Sequence, residues 1–436
     1  MYYRFFYAFI MLTIPYIRDN RETILKGLEI KNFSSPELID QIIELDNERR
    51  SLQVKTNELQ AEMNRLSKEI GMLFKLGEKE KAVQVKEQTT SIKQELETLE
   101  QNLQASASKL NELLVQVPNI PHPSVPAGKS DADNKEIRCA GDKPKLTEGS
   151  LPHWELAKKY NLIDFELGVK ITGAGFPVYR GQGARMQRAL ISWFLDQNTK
   201  AGYEEILPPL MVNEASGFGT GQLPDKEGQM YHITGDNLYM IPTAEVPVTN
   251  IYRDIILNAE DLPVKNTAYT PCFRREAGSY GKDVRGLNRV HQFDKVEIVH
   301  IENPTRSYQA LEEMVSHVEQ LIIKLGLPYR IVELCGGDLS FTSALTYDFE
   351  VYSAAQEKWL EVSSVSNFES YQANRLKLRF REPGEKRSLL AHTLNGSALA
   401  LPRIMAALLE NYQTPEGITI PEVLHPYMGP GNTTIS

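Results

Sequence analysis

Charged and aromatic residues are concentrated in residues 273–297, which read FRREAGSYGKDVRGLNRVHQFDKVE and hold six cationic side chains, four anionic ones and three glycines. Strand alternation predicts a hairpin with Arg274 and Glu276 on one face of its first strand. The returning strand would present Arg289, His291, Phe293, Lys295 and Glu297 on one face. Guanidinium groups suit a phosphate, an aromatic ring suits a base and carboxylates suit an amine. The pattern favours a nucleotide site beside an amino compound over the alternative, a solvated hairpin of mixed charge.

Two shorter stretches carry oxygen-bearing side chains. In TAEVP, residues 243–247, an extended backbone would place Thr243 and Glu245 on one side, where they could bind a small polar group. In EVSSVSNFES, residues 361–370, a glutamate and several serines offer oxygen ligands that Mg²⁺ accepts. Each stretch is a weak signal when taken alone.

Near the C-terminus, apolar residues recur at helical spacing. The stripe comprises Leu401, Ile404, Met405, Leu408, Leu409 and Tyr412. It predicts a helix that packs on the core. Arg403 lies off this stripe, and Asn395, Gly396 and Ser397 precede it. These polar residues, rather than the stripe, are the candidates for chemistry.

A long helical hairpin is predicted at the N-terminal end of the chain. Leucines recur every seven residues from Leu45 to Leu73, and the alternate core positions hold Ile42, Arg49, Thr56, Met63 and Ile70. A second heptad run follows a break at residues 75–78. Two such helices joined by a short turn form an antiparallel coiled coil. The hairpin could serve as a spacer or oligomerisation coil, or as a probe for a large and distant partner.

Composition and absent motifs exclude several classes of protein. A net charge of −9 argues against a basic surface over the whole protein. Three isolated cysteines, Cys139, Cys272 and Cys335, predict a reducing cytoplasm and no zinc site. The sequence has no GxxxxGK[ST] loop, no complete GxGxxG opening a βαβ unit and no GxSxG elbow. A P-loop enzyme, a Rossmann dehydrogenase and an α/β-hydrolase are therefore disfavoured.

The chain divides into five predicted segments. The apolar first stretch is short for a membrane span, and we interpret Met11 as the working start and residues 1–10 as an extension. Residues 11–118 hold the helical arm. A proline-rich linker follows at 119–132. Mixed helix and strand patterns then predict a second domain over 133–428, which holds the candidate site residues, and a tail at 429–436.

Together these motifs resemble the seryl-tRNA synthetases, a family of class II aminoacyl-tRNA synthetases. The resemblance extends from Met11 to about residue 425, and its motifs occur in the family's order. They are the heptad arm, the helix-strand-Pro-Pro segment at 183–212, TAEVP, the hairpin, EVSSVSN and the HTLNGSALALPR helix. The resemblance implies an α+β fold, with an antiparallel coiled-coil arm and a catalytic domain whose antiparallel β-sheet is flanked by helices. Ser340 departs from the family pattern, which has a glycine there.

The resemblance also implies the ATP site. Arg274 would hold the α-phosphate, Glu276 would read the adenine amino group and Phe293 would stack on the ring. Arg289 and Arg403 would hold the terminal phosphates, so the three arginines are the catalytic residues. The full ATP-binding set is Arg274, Arg275, Glu276, Arg289, Val290, Phe293, Glu361, Val362, Ser363, Ser364 and Arg403.

Glu361 and Ser364 would bind Mg²⁺. Because these residues are three apart, a straight strand would send them to opposite faces, and a bulge is required.

L-Serine would occupy the second implied site. Glu297 and Thr243 would hold its amino group, and Glu245, Thr393 and Ser397 would lie near its hydroxyl. The full serine-binding set is Thr243, Ala244, Glu245, Arg274, Glu297, Thr393, Asn395 and Ser397.

The implied reaction joins L-serine and ATP as seryl-adenylate, releases pyrophosphate and transfers serine to the 3' end of tRNA. The implied partners are tRNA(Ser) and tRNA(Sec), bound through the arm, and a second copy of the chain in a homodimer, with no membrane. The isolated cysteines and the lack of a clear targeting segment predict a bacterial cytoplasmic location. The alternatives are a related amino acid:carrier-protein ligase and an inactive coiled-coil scaffold.

Overall fold

The computed structural model describes residues 13–225, 228–276 and 285–436. Our interpretation of Met11 as the start therefore lies outside the described residues, as does the middle of the predicted hairpin loop. The described chain forms two compact units. One holds the described residues up to Glu29 together with Phe33–Pro118, and the other holds Ile30–Asn32 and Asn119–Ser436.

Helices account for most of the first unit. They are α1 (Ile14–Asp19), α2 (Arg21–Ile30), α3 (Leu38–Lys75) and α4 (Lys79–Leu114). The long helices α3 and α4 pack against each other, which confirms the predicted hairpin. Gly77 lies between them with a φ of 78°, a left-handed conformation that glycine adopts readily. The predicted heptad positions are buried or half-buried, and most residues between them are exposed.

A charged cluster explains why the heptad seam tolerates an arginine. Asp46 is 2% exposed although it lies outside the predicted seam. Its carboxylate accepts from Arg49 at 2.8 Å and from Arg18 at 3.2 Å. Arg49 is thus half-buried against a carboxylate rather than against another apolar side chain, since a buried charge needs a partner.

Helices and short strands alternate in the second unit. Its described helices are α5 (His153–Lys159), α6 (Phe165–Ile171), α7 (Gly181–Lys200), α8 (Glu214–Thr220), α9 (Glu245–Asn250), α10 (Ser307–Lys324), α11 (Tyr371–Leu376), α12 (Leu401–Asn411) and α13 (His425–Met428). Its described strands are β1 (Lys135–Ala140), β2 (Ile163–Asp164), β3 (Val178–Tyr179), β4 (Glu204–Glu205), β5 (Met211–Asn213), β6 (His232–Ile233), β7 (Leu238–Met240), β8 (Ile256–Asn258), β9 (Val264–Phe273), β10 (Gln292–Glu302), β11 (Tyr329–Glu333), β12 (Leu345–Ser353), β13 (Lys358–Asn367), β14 (Arg379–Arg381), β15 (Leu389–Leu390), β16 (His392–Ala400), β17 (Gln413–Thr414), β18 (Gly417–Thr419) and β19 (Thr434–Ile435).

One large sheet organises this unit. In the described parts of the chain its strand order is β1-β11-β12-β13-β16-β10-β9-β4. All of its pairs are antiparallel except β4 with β9, which lies at one edge. Helices α7, α10 and α12 pack their apolar faces on this sheet, with Phe194, Met314 and Leu408 almost fully buried. The predicted α+β fold is confirmed, and α7 is the helix of the predicted helix-strand-Pro-Pro segment.

Two predicted conformations are wrong. TAEVP is not extended, because Glu245 begins α9. The stretch HTLNGSALALPR is not one helix, because β16 runs to Ala400 and α12 begins at Leu401. Asn395, Gly396 and Ser397, which were predicted to precede a helix, therefore lie inside a central strand. The backbone of this strand is hydrogen-bonded to β10 on one side and to β13 on the other.

The predicted hairpin forms, but it is shorter than expected. Strands β9 and β10 pair from Val264 with Ile301 to Phe273 with Gln292. Strand alternation therefore cannot place Arg274, Glu276 and Arg289 on a shared face, because all three lie beyond the strand ends. Glu276 has a φ of 47°, which turns the chain out of the strand direction.

The segments flanking the predicted catalytic domain pack against the second unit. In the predicted linker, the buried Asn119 side chain donates to the carbonyl oxygens of Thr342 and Phe368, each at 2.9 Å. At the other end, β19 pairs with β18 and Ile435 is fully buried. A search of the described residues finds no helix long and apolar enough to cross a membrane.

Candidate active site

The candidate site lies on the face of the sheet opposite the helical core. Glu297 on β10 is directly opposite Ser397 on β16, so their side chains share a face. Thr393 and Asn395 lie four and two residues before Ser397 on the same strand, so their side chains are on this face as well. Leu394, between Thr393 and Asn395, and Ala398, directly after Ser397, belong to the apolar core on the other face. Alternation thus separates a polar face from an apolar one within the same strand.

Thr243 and Glu297 meet at the centre of this face. The Thr243 hydroxyl donates to Glu297 Oε2 at 3.3 Å, and both side chains are buried. Lys295 Nζ lies 2.5 Å from the same Oε2 and donates to Thr243 Oγ1 at 2.8 Å. A buried carboxylate needs such a partner, because transfer of an unpaired charge out of water is costly. These predicted serine ligands are therefore brought together around a lysine.

Glu245 is a second buried carboxylate next to this cluster. Gln372 Nε2 donates to Glu245 Oε1 at 2.6 Å, and Thr393 Oγ1 donates to Gln372 Oε1 at 2.7 Å. Burial raises the pKa of Glu245 to about 7, and the charge of Glu297 adds to the effect. Lys295 and the Gln372 hydrogen bond oppose the rise. Glu245 can therefore change protonation near neutral pH.

Asn395 contributes an unused donor. It lowers the pKa of Glu245 by proximity, yet its buried Nδ2 makes no hydrogen bond to any described residue. This donor is therefore available to a ligand. Ala244 differs from its predicted neighbours, because it is fully buried in an apolar cluster with Val248 and Val299.

Arg274 and Phe293 form the start of the nucleotide half. The Arg274 guanidinium carbon lies 5.2 Å from the Phe293 ring centroid. Arg274 Nε donates to the carbonyl oxygen of Pro242 at 3.3 Å, and Pro242 precedes Thr243. Arg274 therefore connects the ring to the carboxylate cluster. This arrangement positions a cation between a flat ring and the polar pocket.

Glu276 and Arg289 pair across the ends of the hairpin. Their closest atoms are 2.9 Å apart, although the strand faces do not bring them together. Arg275 is exposed and is held by its backbone, whose N–H donates to the carbonyl oxygen of Gln229 at 2.8 Å. Val290 is 5% exposed, so its side chain packs inward.

Arg403 links α12 to β13. Its Nη1 donates to the carbonyl oxygen of Glu361 at 2.8 Å and lies 3.5 Å from Glu361 Oε2. Its Nε donates to the carbonyl oxygen of Asn288 at 3.0 Å. The predicted helix thus aims Arg403 at both the predicted Mg²⁺ residue and the end of the hairpin, next to Arg289.

The bulge predicted between Glu361 and Ser364 is confirmed. Ser363 pairs with Phe349 and Glu361 pairs with Glu350, so Val362 is the extra residue in β13. Ser364 Oγ consequently lies 3.5 Å from Glu361 Oε1. Val362 and Ser363 point away from this pair: Val362 joins the core, and Ser363 donates to the carbonyl oxygen of Ser397 at 2.5 Å.

Asp348 completes an oxygen-rich corner that the sequence did not reveal. It is opposite Ser364 in the strand register, and its buried Oδ1 has no hydrogen-bond partner among the described residues. Burial raises the pKa of Asp348 well above its usual range, and the charge of Glu361 raises it further. A buried, unpartnered carboxylate oxygen beside another carboxylate fits a hard divalent cation.

Three contributors to the site had no role in the sequence analysis. Lys295 could have been found, because alternation already placed it beside Glu297. Gln372 and Asp348 offered no such signal. Gln372 lies in a short helix far along the chain from Glu245, and Asp348 meets Ser364 only through the pairing of β12 with β13.

Comparison with known proteins agrees with the geometry. Residues 11–121 match the seryl-tRNA synthetase N-terminal domain, and residues 231–412 match the tRNA synthetase class II core domain (G, H, P, S and T). The chain is 50% identical over 420 residues to the serine–tRNA ligase of Salinibacter ruber, with 96% of this chain and 98% of that protein covered. The serine–tRNA ligase of Geobacter sulfurreducens is 46% identical over 421 residues, with 96% and 99% covered.

Comparison with solved structures identifies the same family as the sequence comparisons. The crystal structure of seryl-tRNA synthetase from Pyrococcus horikoshii complexed with ATP matches with a TM-score of 0.90 at 34% identity, with 96% of this chain and 98% of that chain covered. Near-complete coverage at these identities includes both the arm and the sheet. The chain belongs to the seryl-tRNA synthetase family of class II aminoacyl-tRNA synthetases.

Proposed function

We propose that this chain activates L-serine with ATP, forming seryl-adenylate and pyrophosphate, and then transfers serine to the 3' end of tRNA(Ser). The observation that carries this proposal is the buried cluster of Thr243, Glu245 and Glu297 beside Arg274. Such a pocket offers carboxylates to a small zwitterion and a cation to a phosphate. The names and near-complete coverage of the relatives support the same activity.

The proposal gives the ammonium group and the hydroxyl group of serine separate partners in this pocket. Glu297 would hold the ammonium group, and we assign this contact to Oε1, because Lys295 and Thr243 both contact Oε2. Glu245 would accept the hydrogen bond of the serine hydroxyl. The unpartnered Asn395 Nδ2 and the nearby Ser397 hydroxyl would complete the pocket. A substrate without the hydroxyl would leave these buried groups unpaired.

ATP would lie along the arginine side of the site. Arg274 would contact the α-phosphate, with the adenine ring on Phe293 and its amino group at Glu276. In the first step a serine carboxylate oxygen attacks the α-phosphorus, and the bond to the bridging oxygen breaks as pyrophosphate leaves. Arg289 and Arg403 would stabilise the charge on the leaving group. In the second step a ribose hydroxyl of the tRNA attacks the activated carbonyl and AMP leaves. Positioning supplies most of the rate, so no side-chain nucleophile is needed.

We also propose that Mg²⁺ accompanies ATP. Glu361 and Ser364 would hold it, with Asp348 as an additional oxygen donor, because these residues form the corner where a buried carboxylate oxygen has no hydrogen-bond partner in the described part of the chain. When bound, the ion would neutralise phosphate charge.

The remaining assignments extend the proposal to partners and location. The arm would bind tRNA(Ser) and tRNA(Sec) by shape, since recognition of RNA by its backbone requires only scattered cations on a rigid support. A second copy of the chain would pack at the sheet edge, where Leu207 is 86% exposed between the β4 strand and two prolines. The cytoplasm is the proposed location. No observation favours a carrier-protein ligase or an inactive scaffold.

Serine-dependent exchange of pyrophosphate into ATP tests the proposal directly. The parent chain should catalyse this exchange with serine and then charge purified tRNA(Ser). Glu245→Ala should abolish the exchange, because the serine hydroxyl loses its acceptor and the pocket gains a void. Near-parental exchange by Glu245→Ala would remove Glu245 from the serine site.

The titration of Glu245 predicts a pH dependence. With a pKa of about 7, Glu245 goes from about one-tenth ionised at about pH 6 to about nine-tenths ionised at about pH 8. Because only the carboxylate accepts the hydroxyl hydrogen bond in full, kcat/KM for serine should rise about tenfold over this range. Glu245→Gln should have a low and flat profile. A parental slope in Glu245→Gln would assign the titration to another group.

Removal of the buried carboxylate at the metal corner should have two opposite effects. Asp348→Asn should raise the thermal unfolding temperature in EDTA at neutral pH, because burial and the charge of Glu361 disfavour the ionised form that this carboxyl group has in the unfolded chain. It should also weaken Mn²⁺ binding in the presence of ATP, measured by electron paramagnetic resonance, by about tenfold. Glu357→Gln is the matched control, since Glu357 is an exposed carboxylate in the β12–β13 turn. Equal Mn²⁺ affinity in the Asp348 and Glu357 variants would exclude Asp348 from the site.

Deletion of residues 40–110 should separate the two steps. Serine-dependent pyrophosphate exchange should persist, because all the residues proposed to bind serine and ATP lie in the second unit. Charging of tRNA(Ser) should fall below detection, since the proposed tRNA contacts are lost. Charging that survives the deletion would contradict the role of the arm.

A further inference from the structure

A fully buried histidine–glutamate pair lies outside both proposed substrate pockets. His153, at the start of α5, and Glu410, at the end of α12, are each 0% exposed. His153 Nδ1 is 2.7 Å from Glu410 Oε1, and the His153 backbone N–H donates to the same oxygen at 2.9 Å. Neither residue has a role in the reaction as proposed above.

The hydrogen bonds determine the state of this pair. Burial alone would raise the pKa of Glu410, but donation from His153 and Ser353 holds it below its ordinary value, so Glu410 is a carboxylate. A carboxylate accepts, so the His153 proton lies on Nδ1. That tautomer leaves Nε2 as an acceptor. The backbone N–H of Leu287 donates to it at 2.9 Å.

Leu287 belongs to the return end of the hairpin loop, which approaches the imidazole closely. The preceding Gly286 has a φ of 62°, and a Cβ at this position would lie 2.2 Å from His153 Nε2. Glycine is therefore required for both its conformation and its lack of a side chain. Such an approach indicates that the backbone is held against the histidine rather than merely passing it.

A second bridge leads from the pair to the arginines. Gln356 Nε2 donates to Glu410 Oε1 at 3.0 Å, and Gln356 Oε1 accepts from Asn288 Nδ2 at 2.8 Å. The carbonyl oxygen of Asn288 accepts from Arg403 Nε at 3.0 Å, and Arg289 is the next residue in the chain. Both proposed ligands of the terminal phosphates are therefore one residue or one hydrogen bond away from this bridge.

We propose that His153 and Glu410, with Gln356, form a loop anchor: positioning residues that fix the return end of the hairpin and so orient Arg289 and Arg403 for ATP. The proposal rests on the function proposed above. The anchor does not touch the substrates. It sets the position of Asn288, on which the direction of Arg403 depends, and a small displacement of such a group can cost a large part of its effect.

Two substitutions of His153 separate this role from a merely structural one. His153→Asn places an amide nitrogen near the Nδ1 position, so it keeps the donor to Glu410 and loses the acceptor for Leu287. His153→Gln places its amide oxygen near the Nε2 position, so it keeps the acceptor and loses the donor. Loop anchoring predicts that His153→Asn is the worse variant for ATP. A purely structural role, which needs only a partner for buried Glu410, predicts that it is the milder one.

The readouts are hydrogen–deuterium exchange at the Leu287 amide and ATP affinity by calorimetry. In His153→Asn we expect Leu287 to exchange about tenfold faster than in the parent and ATP to bind about tenfold more weakly, with the affinity for serine, also measured by calorimetry, within about twofold of the parent. His153→Gln should lie closer to the parent in both. Equal effects in the two variants, or the reverse order, would overturn the proposal.

Two further variants keep the test decisive. His300→Asn alters another buried histidine, which contacts the Tyr203 hydroxyl at 2.9 Å, and should lower stability without weakening ATP binding. If the His153 variants do not fold, Gln356→Leu breaks the bridge to Asn288 and should weaken ATP binding, and parental affinity there would contradict the anchor. Hydrogen–deuterium exchange and calorimetry do not require turnover. A parent chain without serine-dependent exchange would refute the proposed function, but the order of His153→Asn and His153→Gln in ATP affinity would still test the loop anchor.

Discussion

Burial of charge on one face of an antiparallel sheet is the constraint to which the rest of the catalytic unit conforms. Glu245 and Glu297 are both less than a tenth exposed, and two neighbouring carboxylates repel each other. Lys295 neutralises one of them at 2.5 Å, and the Gln372 amide supports the other at 2.6 Å. The sheet makes these partners available because adjacent strands and the packed helix α11 deliver them from distant parts of the chain.

In the proposed serine site, the same constraint would make the pocket selective for a substrate with a hydroxyl group. Burial, together with the charge of Glu297, raises the pKa of Glu245 to about 7, and the charge of Lys295 and the Gln372 hydrogen bond offset only part of the rise. In the proposed serine site, the substrate hydroxyl would give the buried carboxylate a donor that replaces water. Alanine would leave Glu245 with the Gln372 hydrogen bond alone, and the loss of such a substrate hydrogen bond is worth about 10⁴-fold or more in comparable sites. Only a ligand with a hydroxyl group would offset the free-energy cost of burying the Glu245 carboxylate.

The sequence predicted what depends on local pattern and missed what depends on pairing. The bounds of α3 agree with the heptad run, because a helix and its seam are set by residues a few positions apart. The start of α9 in TAEVP was not predicted from the sequence. Glu245 is the first residue of this helix, and its side chain is bonded to Gln372, which lies far along the chain. Gln372 and Asp348 were invisible, since their partners are far away in sequence and come together only through α11 and the β12–β13 register.

The bulge at Val362 shows how a local exception can be required by function. A regular β13 would turn either Glu361 or Ser364 toward the core, because strand residues alternate faces. One extra residue lets both oxygens share a face with Asp348 while Val362 still packs inward. The same irregularity places the Glu361 carbonyl where Arg403 donates to it at 2.8 Å. The bulge therefore joins the proposed metal corner to the proposed phosphate arginine, and a regular strand would separate them.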